Sequence, residues 1–387
     1  MIEDDSRIIS SLRFPLAVMV VAIHAYISLG GWSYFELQNQ GLGSNVAQFF
    51  IISLSHVLCH IAVPIFFLIS GFLFFSNFSI DGQSTLDYFK KKLIKRIKTI
   101  LIPYMLWIIL YIVYTAVFSY KEVIKVGIFD WLNTQGGLSM LWCSRYWNLD
   151  RVDLWGQPAL SSAPYLLPFW YMRDLMVCIA MTPLLYFFLK KRNQIQMAVV
   201  GLGIISVLYF TQTSLLVPGF TSLSLFYFGL GSFLSLWGKS LIESFSLYNN
   251  FVRILFVVLL IAEIALDGHN TIIGNYIYPF FVISGVAFVF NTQISSKLNK
   301  WGGQNYSFFI FAFHFFVLPY VGLGLSKIVG LISGEPIVNT MCLADKYPYL
   351  VISEYCLKII LTVLICMGVY AIMQKKTPKI AKILCGR

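Results

Sequence analysis

The chain has 387 residues, of which 58% are hydrophobic and only 12% charged. Soluble domains carry about a quarter of their residues charged, so this composition, with a mean hydropathy of +0.77, excludes a soluble globular protein and defines an integral membrane one. The net charge of +11 would suit a nucleic-acid partner, but its placement along the chain argues for membrane topology instead.

The first apolar run, Phe14 to Leu29, follows an acidic start (Glu3, Asp4, Asp5) and has no small-residue cleavage site. It reads as a retained helix rather than a signal peptide. Long continuous apolar runs, not ten-residue alternations, predict helices rather than barrel strands. The spans fall at roughly 14–31, 49–78, 99–119, 165–189, 195–212, 220–237, 251–266, 272–290, 305–324 and 350–373. The expected fold is all-α: one membrane-embedded domain over 1–387, a bundle of about ten transmembrane helices.

With the N-terminus inside, 20 of the 28 Lys and Arg fall in inner segments, six in outer loops and two within spans. KKKLIKRIK (90–98), KKR (190–192) and the tail KKTPKIAKILCGR carry most of them. This positive-inside bias predicts that both termini are cytoplasmic. The inner charge has a second use, as a site for an anionic cytosolic ligand.

Two outer connections are long, 120–164 and 325–349. Structureless connections of that length are usually functional or disordered. Trp131, Trp142, Trp147 and Trp155 in the first argue against disorder. Such rings suit the apolar faces of sugars and equally the membrane interface; Trp142, Trp147 and Trp170, at the head of the fourth span, are the candidate substrate-binding rings. The seven cysteines follow no metal spacing. Cys143 and Cys342 lie in outer loops, where an oxidising compartment would let them pair.

An ionisable side chain within a span costs on the order of 3 kcal/mol and marks a candidate functional site. The set is His24, His56, His60, Arg173, Asp174, Glu263, His314, Glu354 and Lys358. Glu354 and Lys358, spaced i,i+4, read as a helix-surface pair near the interface, and Glu263 as a side chain snorkelling to the outside. His56 and His60 have metal-ligand spacing, but without a carboxylate or a third ligand no metal is expected. Arg173 beside Asp174 fits either a local ion pair or a functional one.

His24 is the informative one. It follows Arg13 by eleven residues, which returns a helix to nearly the same face about 16 Å further on. The second span ends FFLISGFLFF (Phe66 to Phe75), where Ser70 offers a hydroxyl and Gly71 a close backbone approach. Beyond it, Lys90, Lys91, Lys92, Lys95, Arg96 and Lys98 form a cluster that fits anionic lipid headgroups or a phosphate-bearing ligand such as a nucleotide or coenzyme A.

Arg13-(ten residues)-His24, FFLISGFLFF, KRIKTILIPYMLW, PFWYMRDL (Pro168 to Leu175) and YSFFIFAFHFFVLPY (Tyr306 to Tyr320), in that order, resemble the acyltransferase-3 family of membrane acyltransferases, in its stand-alone form. The resemblance covers about residues 7 to 373. It implies transfer of an acyl group, most often acetyl, from cytosolic acetyl-CoA to a hydroxyl of a carbohydrate or lipid-linked sugar, at the far side of a bacterial inner membrane. The family's arginine–histidine pair falls on Arg13 and His24. Its donor-associated basic segment falls on Lys92, Lys95, Arg96 and Lys98, mostly lysines where many relatives have arginines. A lysine holds a phosphate as a point charge and not bidentately.

On this reading His24 is the general base or transient acyl acceptor, since histidine serves as a base near neutral pH. Arg13 and Ser70 attend the donor, Arg173 and His314 orient the acceptor or stabilise the thioester oxyanion, and Asp174 orients one of these groups. The competing function is a transporter or flippase of an anionic or lipid-linked solute; midplane charges fit it, but no inverted repeat is visible.

Overall fold

The computed structural model of the protein describes residues 3–26, 46–76, 78, 85–143, 145–152, 158–190, 218–219, 221–238, 240–246, 249–266, 272–291, 303–335 and 340–387. In chain order the elements are α1 (Glu3–Ala25), α2 (Val46–Phe75), α3 (Thr85–Phe118), α4 (Tyr120–Val126), α5 (Ile128–Thr134), β1 (Arg145–Val152), β2 (Pro158–Ala163), α6 (Trp170–Ala180) and α7 (Thr182–Leu189). There follow α8 (Ser222–Leu236), α9 (Leu241–Ser246), α10 (Asn249–Ala265), α11 (Ile272–Asn291), α12 (Ser307–Ser333), α13 (Pro348–Lys376) and α14 (Pro378–Leu384). π-turns at Ser53–Leu58 and Ile97–Leu101 interrupt α2 and α3 without ending them.

Among the described residues five helices, α1, α2, α3, α12 and α13, are long and apolar enough to cross a membrane. The pair α6–α7 makes a sixth if taken as one broken span, bent by 53°. Pro183, near the start of α7, accounts for the break, because its ring blocks the preceding helical hydrogen bond. Shorter apolar helices lie within α8 and α11. The chain is thus a multi-pass helical membrane protein. The expected fifth span, 195–212, lies outside the described residues.

The two long connections expected on the outside depart from expectation. Residues 120–164 are not a bare loop: they form α4, α5, a 3₁₀ turn (Gly137–Leu141) and the antiparallel hairpin β1–β2. In the hairpin Arg145 pairs with Ala163 and Trp147 with Ser161, with a bulge between Asn148 and Val152. These are the only strands among the described residues. Helices of two turns are too short to print a periodic pattern, which is why the sequence reading missed them. At the second connection, α12 runs on to Ser333 and stops at Gly334, whose φ of 72° ends the helix in the left-handed region.

The chain divides into two compact units, Met1–Phe66 with Ser240–Lys376, and Phe67–Lys239 with Thr377–Arg387. In the first, α1, α12 and α13 share a core that includes Val21, Ile310, Leu318 and Cys366. The buried Tyr355 hydroxyl donates to Ala22 O at 3.1 Å. Asp5, in the charged start, is also buried. Its carboxylate accepts from Ser240 Oγ (2.8 Å) and Leu241 N (3.3 Å), fixing the start of α9 against α1.

In the second unit, α2 and α8 cross at backbone distance. A methyl on Gly71 would overlap the Phe228 carbonyl, and one on Gly231 would overlap the Leu68 carbonyl. Reciprocal glycines of this kind let membrane helices approach closely. Tyr88 and Phe89, at the start of α3, are buried against Phe74, Phe78 and Tyr186. The Trp107 ring N–H donates to Leu384 O at 2.9 Å and so anchors α14 on α3.

Candidate active site

In the first unit, α1 and α12 bring two of the expected residues together. His24 is buried, and its Nδ1 lies 2.8 Å from Val20 O, one turn back on α1. A carbonyl only accepts, so Nδ1 carries the hydrogen and the neutral ring presents Nε2 as a lone-pair acceptor. His314 repeats the arrangement on α12: its Nδ1 lies 2.8 Å from Phe311 O and 3.2 Å from Ile310 O. Its Nε2 is buried with no hydrogen-bond partner among the described residues. The two ring centroids are 5.1 Å apart, tilted by 46°, and Phe315 stands edge-on to His24 at 5.8 Å. Arg13, on the same helix as His24, is exposed.

This geometry bears on the expected role of His314. An imidazole whose Nδ1–H is spent on the backbone has no hydrogen left to give an oxyanion while it is neutral. It can accept one.

Arg173 and Asp174 sit on α6 in the second unit, both buried. Arg173 Nε donates to Asp174 Oδ1 at 2.9 Å, and Nη2 lies 2.9 Å from the same oxygen. Nη1 donates to Trp142 O at 2.9 Å. Thr221, the N-cap of α8, donates to Asp174 Oδ2 at 2.9 Å. The Trp142 ring N–H in turn donates to Pro218 O at 3.1 Å. The pair therefore ties three stretches of chain: the segment before the hairpin, α6, and the head of α8. Sequence reasoning missed Thr221, since a threonine 47 residues away gives no sign of its partner.

The remaining expected residues are also in the second unit. Ser70 Oγ lies 3.4 Å from the Tyr171 hydroxyl. Lys92 is half-buried, with its ammonium 5.3 Å from the Tyr88 ring and 5.9 Å from the Phe74 ring. Arg96 is half-buried, while Lys95 and Lys98 are exposed. Trp170 is half-buried, 6.4 Å from Phe67. Trp147 stands on β1, its side chain outside the described residues.

Three other polar features differ from expectation. Glu354 and Lys358 form a 3.5 Å ion pair that is fully buried, not a surface pair. Glu263 does not snorkel: it is 0% exposed, with neither carboxylate oxygen hydrogen-bonded among the described residues. Both follow from helix packing, which a one-dimensional depth estimate does not contain. His56 and His60 lie 5.5 Å apart, and no group of three potential ligands forms among the described residues. All seven cysteines are free, Cys143 and Cys342 among them.

A multi-pass helical membrane protein with two backbone-tethered histidines, one on α1 and one on α12, is the class these observations define. Within that class, the family model described as an acyltransferase domain matches residues 8–371, nearly the whole chain. The chain belongs to the acyltransferase-3 family and is an acyltransferase. Comparison with curated proteins and with solved structures finds no match for it.

Proposed function

We propose that the protein moves an acyl group, in the simplest case acetyl, from cytosolic acyl-CoA to a hydroxyl of a carbohydrate acceptor at the outer face of the membrane. Both termini and the basic loops face the cytoplasm in this reading, with about ten spans, as the charge bias favours. The observation that carries it is the hydrogen bond from His24 Nδ1 to Val20 O. It fixes the tautomer that a base needs, with Nε2 bare inside a buried segment.

The steps follow from that tautomer. The acceptor hydroxyl gives its proton to His24 Nε2 as its oxygen attacks the thioester carbon. The tetrahedral intermediate collapses, the carbon–sulfur bond breaks, and the departing thiolate takes the proton from Nε2, leaving ester and free coenzyme A. His314, with its own Nε2 bare, accepts a hydrogen bond from the acceptor and so orients it. Arg13 holds a phosphate of the donor, and an extended pantetheine arm spans the ~16 Å from there to His24. Lys92, Arg96 and Ser70 keep the donor role that the family resemblance assigns to them. Arg173 and Asp174 act at one remove, by holding the segment that bears Trp142.

The test is release of label from radioactive acetyl-CoA by purified protein in liposomes, with a hydroxyl acceptor or water. Removing a general base typically lowers the rate by 10²–10⁴-fold. His24→Ala protein that elutes and melts like wild type should lose transfer by about that factor. Wild-type turnover in a folded His24→Ala variant would remove the base from α1.

A further inference from the structure

The six cations after the second span do not all face the same way. At about 100° per residue, the helix from Thr85 to Arg96 and the π-turn after it present three sectors. Tyr88 and Phe89 turn inward and are buried, and Lys92 and Arg96 lie between them on the same face, half-buried. The outward half divides in two. Leu86 (76% exposed), Ile94 and Ile97 form an exposed apolar sector, with Lys90 between them. Lys91, Lys95 and Lys98 form the exposed sector beside it, headed by one carboxylate, Asp87.

The length of α3 sets the height of this surface. Its 34 residues make a rod of about 51 Å, against about 30 Å of hydrocarbon. Some 20 Å must stand at or beyond the headgroups. The far end exposes Ile109, Val113 and Val117, a surface for acyl chains. The basic end is therefore the excess. An exposed apolar sector flanked by a lysine row at that height is the pattern of a helix lying against the boundary of an anionic leaflet.

We infer that Lys91, Lys95 and Lys98, with Leu86, Ile94 and Ile97 beside them, form a docking surface for the headgroups of anionic phospholipids. The apolar side chains enter the acyl boundary and the ammonium groups meet lipid phosphates. Charge complementarity and the adjoining apolar sector select a lipid over a free anion, because a soluble phosphate ligand has no use for exposed leucine and isoleucine. The inference stands independently of the acyl-transfer reading, and it divides the basic segment: the outward row serves lipid, and only Lys92 and Arg96 are turned toward the protein.

The experiment measures thermal stabilisation of the full-length protein in detergent as phosphatidylglycerol or phosphatidylcholine is added, with a parallel titration of coenzyme A. Near an anionic surface each lysine is worth about fivefold in binding, so three are worth on the order of a hundredfold. Phosphatidylglycerol should stabilise wild type and phosphatidylcholine should not. Lys91→Gln/Lys95→Gln/Lys98→Gln should move the phosphatidylglycerol titration to concentrations about a hundredfold higher. Lys92→Gln/Arg96→Gln should leave it in place. The inference is overturned if the triple variant titrates like wild type, or if phosphatidylcholine stabilises equally. It is overturned too if the triple variant loses the response to coenzyme A while keeping that to phosphatidylglycerol. The altered side chains are exposed, so folding is retained and is checked by gel filtration.

Discussion

Gly71, in the Ser70–Gly71 step of α2, offers the sharpest test of the fold. Its hydrogen faces the backbone of α8, and a methyl in its place would meet the Phe228 carbonyl head-on. It would also stand 2.9 Å from the carbonyl carbon and 3.0 Å from Ser232 Oγ. Carbon atoms in contact sit about 3.5–4.0 Å apart, and the carbonyl oxygen is nearer still than its carbon, so α8 would have to retreat by roughly 1 Å or more. No rotamer change relieves the overlap, because the obstacle is backbone. Ser232 itself donates to Phe228 O at 2.8 Å, so a shift of that carbonyl disturbs a second bond. Overpacking of this kind costs about 1–3 kcal/mol, and the rigid obstacle puts Gly71→Ala at the upper end. Gly231→Ala, which meets Leu68 C and Phe72 N at 2.9 Å, should cost a similar amount. The two costs should not add: once the helices have separated for one methyl, the second finds room. The assay is thermal unfolding in detergent of both single variants and the double, with an expected fall of about 5 °C or more for each single. A Gly71→Ala protein that melts with wild type would show that the helices do not cross at this pair, and full additivity would place the two glycines in separate contacts.

Three further outcomes follow from particular contacts. His314→Ala should lower kcat for acyl transfer by about 10–10²-fold with less loss than His24→Ala; an equal loss from both, in folded protein, would give the two imidazoles one shared role. Lys358→Met strands the Glu354 carboxylate in a buried site and should destabilise by about 3–5 kcal/mol, whereas Glu354→Gln/Lys358→Met should recover much of it; a double variant no better than the single would mean that the pair is not coupled. Trp107→Phe keeps the ring and removes the N–H bonded to Leu384 O, at a cost of about 1 kcal/mol; proteolysis of the α14 segment at the wild-type rate would rule out that anchor.

How much of this was legible in the sequence depends on the range of the interaction. Apolar runs reported the long helices because membrane insertion acts on a segment by itself. α2 and α13 overlap the runs at 49–78 and 350–373, whereas α1 begins at Glu3, ahead of the run that starts at Phe14; His24 was visible as a polar residue in an apolar run. The glycine crossing was half legible: Gly71 announced a close approach, but not that its partner was Gly231. The commitments of side chains were not legible at all. Asp5 stood in the sequence only as part of an acidic start and is a buried cap for α9. Lys92 looked like one phosphate ligand among several and lies over aromatic rings. Hydrogen-bond partners are chosen by packing between distant segments, and spacing along one helix carries no record of that choice.

The two buried ion pairs among the described residues illustrate how much that choice matters. Arg173–Asp174 is met on every side the contacts describe: a hydrogen bond and a second close ionic contact within the pair, a hydrogen bond to a backbone carbonyl, and one from Thr221. Taking both charges out of water is costly, and only such a full set of partners makes the pair stable. Glu354–Lys358 is equally buried but differently served. Ser326 donates to Glu354 Oε1 at 3.1 Å, yet Glu354 Oε2 and Lys358 Nζ, with Thr362 Oγ1 one turn on, have no hydrogen-bond partner among the described residues. A leucine at each position would be cheaper than polar groups left in this state. The same membrane therefore contains one ion pair that explains itself structurally and one whose polar groups fixing the fold does not explain. Arg173 and Asp174 account for their own burial through the chain segments they join, and a conservative Arg173→Lys change, which loses the fork geometry, should act on the Trp142 segment before it acts on any step at His24.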